Sequence, residues 1–308
     1  MNLPHQPVLY QQIIHALCPK STGHYVDGTL GAGGHAAGLL AGSEPGGLLL
    51  GLEVDPQALE LARQNLAPFG ERACLKMASY TSIPSQLASL GWSCVDGVLL
   101  DLGASSMQFD TPERGFSFLA DGPLDMRFDP SNPLSASEVV NTWSEDELVD
   151  VLFRYGEEHA SRRIARAILQ ARPLQGTLHL AGVIEKATGR HGSHHPATHT
   201  FQALRIVVNG ELEALKKVLP MAIQSLCPGG RLAIISFNSL EDRIVKEFFR
   251  LESTDCICPP RQPICTCGHK ASILEISRKP IMPTAEEVSQ NSRARSAKLR
   301  VAEKIESS

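Results

Sequence analysis

Two features of this 308-residue chain place reactive or ligand-binding residue types at telling spacings. The first is a glycine-rich turn, Gly31-Ala32-Gly33-Gly34-His35-Ala36, which satisfies the G-x-G-x-x-G/A pattern. Glycines there let backbone approach a ligand closely at a helix N-terminus. Such a turn also forms between strand and helix for steric reasons alone. Glu53 strengthens the ligand reading, because it ends the next apolar run, where an acid would grip a ribose diol. Together they favour an adenosine-containing ligand. Asp27 lies four positions ahead of Gly31, and a carboxylate suits the cationic methionine end of S-adenosylmethionine better than a diphosphate. The second feature is Cys256-Ile257-Cys258 followed by Cys265-Thr266-Cys267. Four thiolates on two short turns, joined by a Pro-rich loop, suit a tetrahedral structural zinc. The C-x-C spacing is less usual than C-x-x-C, and a plain hairpin with reduced thiols is the alternative. Cys18, Cys74, Cys94 and Cys227 are scattered through apolar stretches and read as small core residues, with no disulfide needed in a chain of this size.

The elements that must position these groups alternate between strand and helix patterns. His24–Asp27 reads as a short strand running into the glycine turn, and a small-residue helix starts near His35. Gly47–Val54 and Val95–Asp101 are apolar runs short enough for buried parallel strands, the second ending in an acid. Asp55-Pro56 is an N-cap and first helical residue, with Leu59, Ala62 and Leu66 on one face. Strands alternating with helices imply right-handed βαβ units and a parallel sheet. From about 105 to 134 the chain loses periodicity and is rich in Gly, Pro, Ser and Asp. Ser144-Glu145-Asp146-Glu147 is a capping box, Ile164 and Ile168 mark a second helix, and a short helix follows Thr177. Phe201, Leu204, Val208, Leu212, Leu215 and Leu219 trace one long amphipathic helix. It stops at Cys227-Pro228-Gly229-Gly230, after which Leu232–Phe237 resumes the strand pattern. No internal repeat or low-complexity tract interrupts this order.

Composition narrows the class. Apolar residues make up 43% and charged residues 20% of the chain, close to globular averages, which excludes wholesale disorder. With 29 Lys and Arg against 33 Asp and Glu, the net charge of −4 argues against coating nucleic acid by bulk charge but leaves a local basic face open. No apolar run approaches the ~18 residues of a membrane span. Met1-Asn2-Leu3-Pro4-His5-Gln6 lacks the charged and apolar segments of a secretory leader and the Arg-rich lead of a transit peptide. The expectation is a cytoplasmic protein without membrane attachment.

Longer blocks then occur in a fixed order. Asp27-Gly28-Thr29-Leu30-Gly31-Ala32-Gly33-Gly34-His35 is followed by Asp101-Leu102-Gly103-Ala104-Ser105-Ser106-Met107-Gln108, Arg114-Gly115-Phe116-Ser117-Phe118 and Pro123-Leu124-Asp125-Met126-Arg127. Tyr155-Gly156-Glu157-Glu158, the stretch His195–Ile206, Ser236–Arg243 and Arg293–Arg300 complete the set. In this order they resemble the RsmH (MraW) family, bacterial enzymes that methylate N4 of cytidine 1402 in 16S ribosomal RNA. The likeness covers nearly the whole chain. It implies an α/β, class I (Rossmann-like) S-adenosylmethionine-dependent methyltransferase with an inserted helical domain for RNA recognition. The corresponding division is 1–105 with 206–308 for the methyltransferase domain and 106–205 for the insertion. By motif position, cofactor contacts fall on Gly33, Gly34, His35, Glu53, Tyr80, Asp101 and Gln108. Three positions depart from the family pattern: Glu53 where Asp is commoner, Asn238 where His is usual, and Ser292 where Pro is common.

An N4-methylation reading assigns further roles. Methyl transfer from a sulfonium is an in-line displacement, so orientation and a dry pocket should supply most of the catalysis. The N4 lone pair is conjugated with the ring, and an acceptor aimed at its N–H groups favours the reactive, pyramidal form. Asp101 is the natural acceptor; Ser105, Ser106 and Asn238 are further catalytic candidates, and Phe116 or Phe118 could stack on an extruded base. Asn238 would offer the donor and acceptor that a neutral imidazole offers. The expected phosphate contacts are Arg114, Arg205, Arg293, Arg295, Lys298 and Arg300, with Arg162, Arg163, Arg166 and Arg172 as a second basic series. The partner would be 16S rRNA or the small ribosomal subunit. Two rival readings remain: a ribosome-assembly factor that binds cofactor and rRNA with little turnover, and an NAD(P)-dependent oxidoreductase.

Overall fold

A computed structural model describes residues 7–189, 195–259, 262 and 264–306. The residues on which the leader reading rests lie outside these, as does part of the Pro-rich loop between the cysteine pairs. The chain forms two compact units, Met1–Gly103 with Glu213–Ser308, and Ala104–Leu212. No described helix is long and apolar enough to cross a membrane.

The first unit is built on a seven-stranded sheet: β1 (His24–Asp27), β2 (Leu48–Glu53), β3 (Ala73–Met77), β4 (Val95–Asp101), β5 (Leu226–Ser236), β6 (Ile273–Glu275) and β7 (Lys298–Lys304). Its order is β3-β2-β1-β4-β5-β7-β6. The first five strands run parallel, and β7 is inserted antiparallel between β5 and β6. This is the expected α/β, Rossmann-like class I methyltransferase fold. Its strands read as continuous apolar runs because both faces are covered. Val26, Leu50, Val98 and Ile234 enter one core cluster, while Tyr25, Leu49, Leu99 and Ile235 enter the other. The strand period of two assigns neighbours to opposite sides. Helices α1 (Tyr10–Leu17), α2 (Gly34–Gly42), α3 (Pro56–Leu66) and α4 (Ile83–Leu90) fall between or ahead of these strands. As expected, Asp55 caps α3, its Oδ1 accepting from the Gln57 N–H at 2.9 Å ahead of Pro56. Strand order reverses between β1 and β4, the position where such sheets open a ligand crevice.

The second unit comprises α5 (Ser106–Asp110), α6 (Ala136–Thr142), α7 (Glu145–Gly156), α8 (Ser161–Ala171), α9 (Thr177–Thr188) and α10 (Ala197–Asn209). The expected capping box opens α7: Glu147 accepts from the Ser144 N–H at 2.8 Å, and Ser144 accepts from the Glu147 N–H. Val139, Leu152, Ile164, Ile168, Leu180 and Leu204 are buried together in its core. Phe116 and Phe118 belong to that packing, the commoner arrangement for phenylalanines in a loop, rather than standing free to stack on a base. Phe116 stacks on Phe128 at 5.5 Å and Phe118 meets Phe201 edge-on at 4.9 Å.

Two further expectations are corrected. The single helix expected from 201 to 219 is two, α10 and α11 (Glu211–Ser225), because Gly210 adopts φ 60° and its N–H returns to Ile206 O. Apolar spacing continues across the break, so periodicity alone does not show it. The chain then completes α12 (Ser239–Glu252) and α13 (Ala285–Gln290). Cys94 and Cys227 are not isolated core thiols but a disulfide, with Cα atoms 5.0 Å apart. Pairing of Val95 with Leu226 in the β4–β5 register sets the two cysteines side by side, a proximity invisible in sequence. Cys18 is exposed and not a core residue, whereas Cys74 is half-buried and packs against the core.

Candidate active site

The candidate site lies at the C-terminal ends of β1 and β4, the crevice position expected of such a strand order, and each of these strands ends in an acid. Asp27 closes β1 and is 1% exposed. Burial pushes its carboxyl up to about 7; nearby Asp101 and Glu53 add to the rise, while His35 and the Thr29 N–H oppose it. After Asp27 the chain turns through the glycines. Gly33 sits at φ 84°, and a Cβ there would lie 3.0 Å from Leu66 Cδ1 of α3. At Gly28 a Cβ would approach Leu100 Cδ2 to 2.7 Å and Tyr80 Cβ to 3.0 Å, so the turn hugs both strand and Tyr80. Only glycine fits these positions without displacement. Gly34 and His35 begin α2, and His35 is buried.

Glu53 closes β2 and faces this turn. Its Oε2 accepts from the Gly31 N–H at 2.8 Å, and its Oε1 accepts from the Val54 and Asp55 N–H groups at 2.8 and 2.9 Å. Burial raises its pKa, and these three donors act against the rise. A carboxylate offers about four acceptor positions, so one is left on Oε2. Glu53 thus holds the turn as well as presenting an acceptor to it.

Asp101 closes β4, and its N–H donates to Thr29 Oγ1 at 2.6 Å. Its Oδ2 is 3.6 Å from His35 Nε2. On the neighbouring strand, Ile235 O accepts from the Leu102 N–H, and β5 leads within three residues to Asn238. Asn238 is the N-cap of α12: its Oδ1 accepts from the Leu240 and Glu241 N–H groups at 3.0 and 2.9 Å. The expected acceptor role of Asn238 toward a base is therefore corrected, because that oxygen already satisfies the helix start. His35 Nδ1 and Nε2, Asp101 Oδ1 and Asn238 Nδ2 are buried and lack any hydrogen-bond partner in the described structure. Buried polar atoms are paired in the great majority of cases, so this cluster fits a polar ligand.

The structure thus joins Asp27, Gly33, Gly34, His35, Glu53, Tyr80 and Asp101 in one unit, which also holds Asn238 at the start of α12, two residues beyond the end of β5. Ser105, Ser106 and Gln108 lie in the second unit, where Ser105 and Gln108 cap α5. Ser105 Oγ accepts from the Gln108 N–H at 3.3 Å, and Gln108 Oε1 accepts from the Ser105 N–H at 2.9 Å.

Several arginines expected at RNA are committed elsewhere. Arg114 donates to Arg127 O and Phe128 O at 2.8 and 3.1 Å and lies over the Phe116 ring. Arg205 makes a bidentate pair with Glu211 at 2.8 and 3.0 Å. Arg172 donates to Val140 O at 2.7 Å. Arg300 is 5% exposed, and its Nε donates to Asp242 Oδ1 at 2.7 Å. Burial alone would raise the Asp242 pKa, but Arg300 and Lys298 outweigh it and hold the carboxyl below its usual range. The supposed basic tail divides between a short 3-10 turn, Ser292–Ser296, which carries Arg293 and Arg295, and strand β7, whose apolar residues Leu299 and Val301 alternate with charged ones. Arg295 remains exposed, as do Arg162, Arg163 and Arg166 on α8, although Arg166 pairs with Glu145 at 2.9 Å. Beside them Phe153 of α7, 60% exposed, lines an open cleft with His159, Arg162 and Arg163. The sequence reading missed Phe153, whose signal was an aromatic on the polar face of an amphipathic helix.

Residues 2–305 match the family model described as the MraW methylase family. The chain belongs to that family. Its relatives include the protein named Ribosomal RNA small subunit methyltransferase H of Lawsonia intracellularis, 49% identical over 309 residues and covering 98% of this chain and 99% of that one. The protein of the same name from Dehalococcoides mccartyi is 51% identical over 303 residues, covering 98% and 87%. That of Maridesulfovibrio salexigens is 50% identical over 308 residues, covering 97% and 95%. Membership in a methylase family agrees with a crevice whose glycine turn, paired strand-end acids and unpaired buried atoms suit a zwitterionic nucleoside ligand better than a diphosphate.

Proposed function

We propose that this chain transfers a methyl group from S-adenosylmethionine to the exocyclic N4 of a cytidine in 16S rRNA, at position 1402, acting in the cytoplasm on the small ribosomal subunit. The observation that carries the reading is the set of buried, unpartnered polar atoms on His35, Asp101 and Asn238 around the β1–β4 crevice. Relatives sharing about half their residues carry a small-subunit rRNA methyltransferase name, which supports the substrate class. The cofactor supplies a sulfonium methyl, electrophilic without further activation. Asp27 and His35 hold its charged amino-acid end, the Gly31–Gly34 turn carries the nucleoside close to backbone, and Glu53 takes a ribose hydroxyl on its remaining acceptor position.

Asp101 does the work on the base. Its unpaired Oδ1 accepts a hydrogen bond from N4–H, which frees the nitrogen lone pair from the ring. N4 then forms the new N–C bond as the C–S bond breaks. The extra proton on the methylated nitrogen is acidic and leaves to Asp101 or water. Asn238 contributes its remaining Nδ2 donor, directed at a ring acceptor, so the His usual at this position is not required for proton removal. The second unit binds rRNA phosphates through Arg162, Arg163 and Arg166 and stacks an unpaired base on Phe153; Arg293 and Arg295 supply phosphate contacts from the first, whereas Lys298 pairs with Asp242 at 3.3 Å. The zinc expected of the cysteine cluster takes no step in this reaction.

The test is tritiated-methyl transfer from S-adenosylmethionine to small subunits lacking the modification, followed by mass mapping of the 16S rRNA. Label on N4 of the single cytidine is expected. Cofactor and rRNA binding without label would identify an assembly factor instead, and label on another nucleotide would refute the base assignment.

A further inference from the structure

Between α12 and β6 the chain makes an excursion whose described residues join none of the core clusters. Among its described residues from 254 to 270, only Cys258 and His269 are even half-buried, and Ile257 and Ile264 are exposed. Hydrogen bonds pin its base, among them Ser272 N–H to Glu252 O at 2.8 Å, Ser272 Oγ to Glu252 Oε2 at 2.6 Å, Ala271 N–H to Asp255 Oδ1 at 3.2 Å, and His269 Nδ1 with Thr254 O at 2.8 Å. Above that base, Cys256, Cys258, Cys265 and Cys267 turn their sulfurs toward one point. The four Sγ atoms all lie within 4.8 Å of one another. Cys256 and Cys265 are 3.5 Å apart, Cys265 and Cys267 3.6 Å, and Cys267 and Cys256 3.9 Å. A tetrahedron with metal–sulfur bonds of about 2.3 Å has sulfur–sulfur edges of ~3.8 Å. The Thr266 N–H also points at Cys258 Sγ, 3.5 Å away, an orientation that stabilises a thiolate.

We propose that these four cysteines bind a single zinc ion, and that the ion holds the 253–272 excursion in its fold. Exposed thiols gain little by converging, since the described residues of the loop bury little apolar area in return. A metal changes that balance, because its binding energy becomes folding energy for a segment with no core. Four thiolates in tetrahedral array select zinc or iron. A multi-iron cluster would interpose its own iron and sulfide among the thiolates and spread them farther apart, which favours one ion. The excursion leads directly into β6, a three-residue edge strand paired to β7. Fixing its end fixes the start of that strand. None of the four ligands takes part in the crevice at β1 and β4, so the site does not depend on the methyl-transfer reading.

The full chain, purified without chelators, should contain about one zinc per molecule and no iron by elemental mass spectrometry. Cys258→Ser and Cys267→Ser should each lose the zinc while keeping the wild-type circular dichroism spectrum, and Cys74→Ser should retain it. Should the serine variants misfold, exchange of Co(II) into the wild-type protein decides the matter. Thiolate-to-cobalt charge-transfer bands with the d–d bands of a tetrahedral tetrathiolate site are expected. Hydrogen exchange after metal removal should then quicken within 253–276 and stay unchanged in β1 and β4. Metal-free protein with all four thiols reactive, the four cysteines found as two disulfides, or a cobalt spectrum of nitrogen and oxygen ligands would each overturn the proposal.

Discussion

Asp27 offers the sharpest test of how the crevice holds its ligand, because its free-state ionisation is set by burial. With its carboxyl raised to about 7, the cofactor-free protein carries a proton there in roughly half its molecules at neutral pH. A cationic ammonium group requires the ionised form, so binding must expel that proton. A group of pKa about 7 is ionised in about one molecule in eleven at pH 6 and about ten in eleven at pH 8. The dissociation constant for S-adenosylmethionine should therefore fall ~10-fold from pH 6 to pH 8, equivalent to ~1.4 kcal/mol. His35, Asp101 and Glu53 face the same space, so the control is Asp27→Asn, which keeps the shape and removes the titration. That variant should bind ~10- to 150-fold more weakly at pH 8, the loss of a charged hydrogen bond of ~1.5–3 kcal/mol, and its residual affinity should vary far less with pH.

Stability must move the other way. The folded pKa of Asp27 lies above its ordinary value of 3.8. Its protonated form therefore favours the folded state, a contribution fully present below about pH 4 and lost as pH rises through about 7. Cofactor-free protein should lose ~1.4 kcal/mol of unfolding free energy between pH 6 and 8 from this group, and Asp27→Asn should be more stable than the natural protein at pH 8. Titration calorimetry in buffers of different ionisation enthalpy reads the proton directly, at about half a proton released per cofactor near pH 7. Equal affinity at pH 6 and 8, with no proton released, would refute the assignment of Asp27 to the ligand's cationic end.

Other residues make separate predictions. Glu53→Ala should weaken S-adenosylmethionine binding ~10- to 150-fold and also lower the melting temperature of the cofactor-free protein, since it strands three backbone donors; calorimetry and a thermal melt check the two together. Asp101→Asn should lower single-turnover methyl transfer by ~10²–10⁴ while leaving cofactor affinity within a few-fold; an unchanged rate would remove it from the base. Arg300→Ala should cost about 3 kcal/mol in urea unfolding, because Asp242 is left with Lys298 alone in a nearly buried site, without changing the salt dependence of rRNA binding. Arg162→Ala and Arg163→Ala should each reduce that salt slope by about 1, and Phe153→Ala should weaken binding by ~1–3 kcal/mol; filter binding across a salt series distinguishes these outcomes.

What the sequence made legible follows from where its signals are local. The β1, β2 and β4 strands are short apolar runs closed by turn residues, and the caps at Asp55 and Ser144 are each written in three or four consecutive positions. The crevice was legible for the same reason, since a strand-end acid and a glycine turn adjoin in the chain. What escaped depends on partners distant in sequence. Whether an arginine meets RNA or a carboxylate turns on Asp242 for Arg300, fifty-eight positions away. The Cys94–Cys227 disulfide depends on a strand register, and the break at Gly210 preserves the apolar spacing it interrupts. Strand β7 did leave a mark, the apolar positions 299 and 301 between charges, but its basic content masked the period of two.

Asn238 shows how the two kinds of signal meet in one residue. Its position beside a strand end suggested a stand-in for imidazole, with donor and acceptor both aimed at the base. The structure gives the acceptor to the first turn of α12 and leaves only the donor in the crevice. Asparagine is among the strongest N-cap residues, so the substitution strengthens the helix start at the point where β5 delivers it. A neutral imidazole has one donor and one acceptor and cannot spare its acceptor to the cap while also serving a base. Dividing one carboxamide between helix and ligand therefore fixes Nδ2 more rigidly than a free side chain would be fixed. On the proposed reading the proton then leaves to Asp101 or water, and no titrating group is needed at position 238.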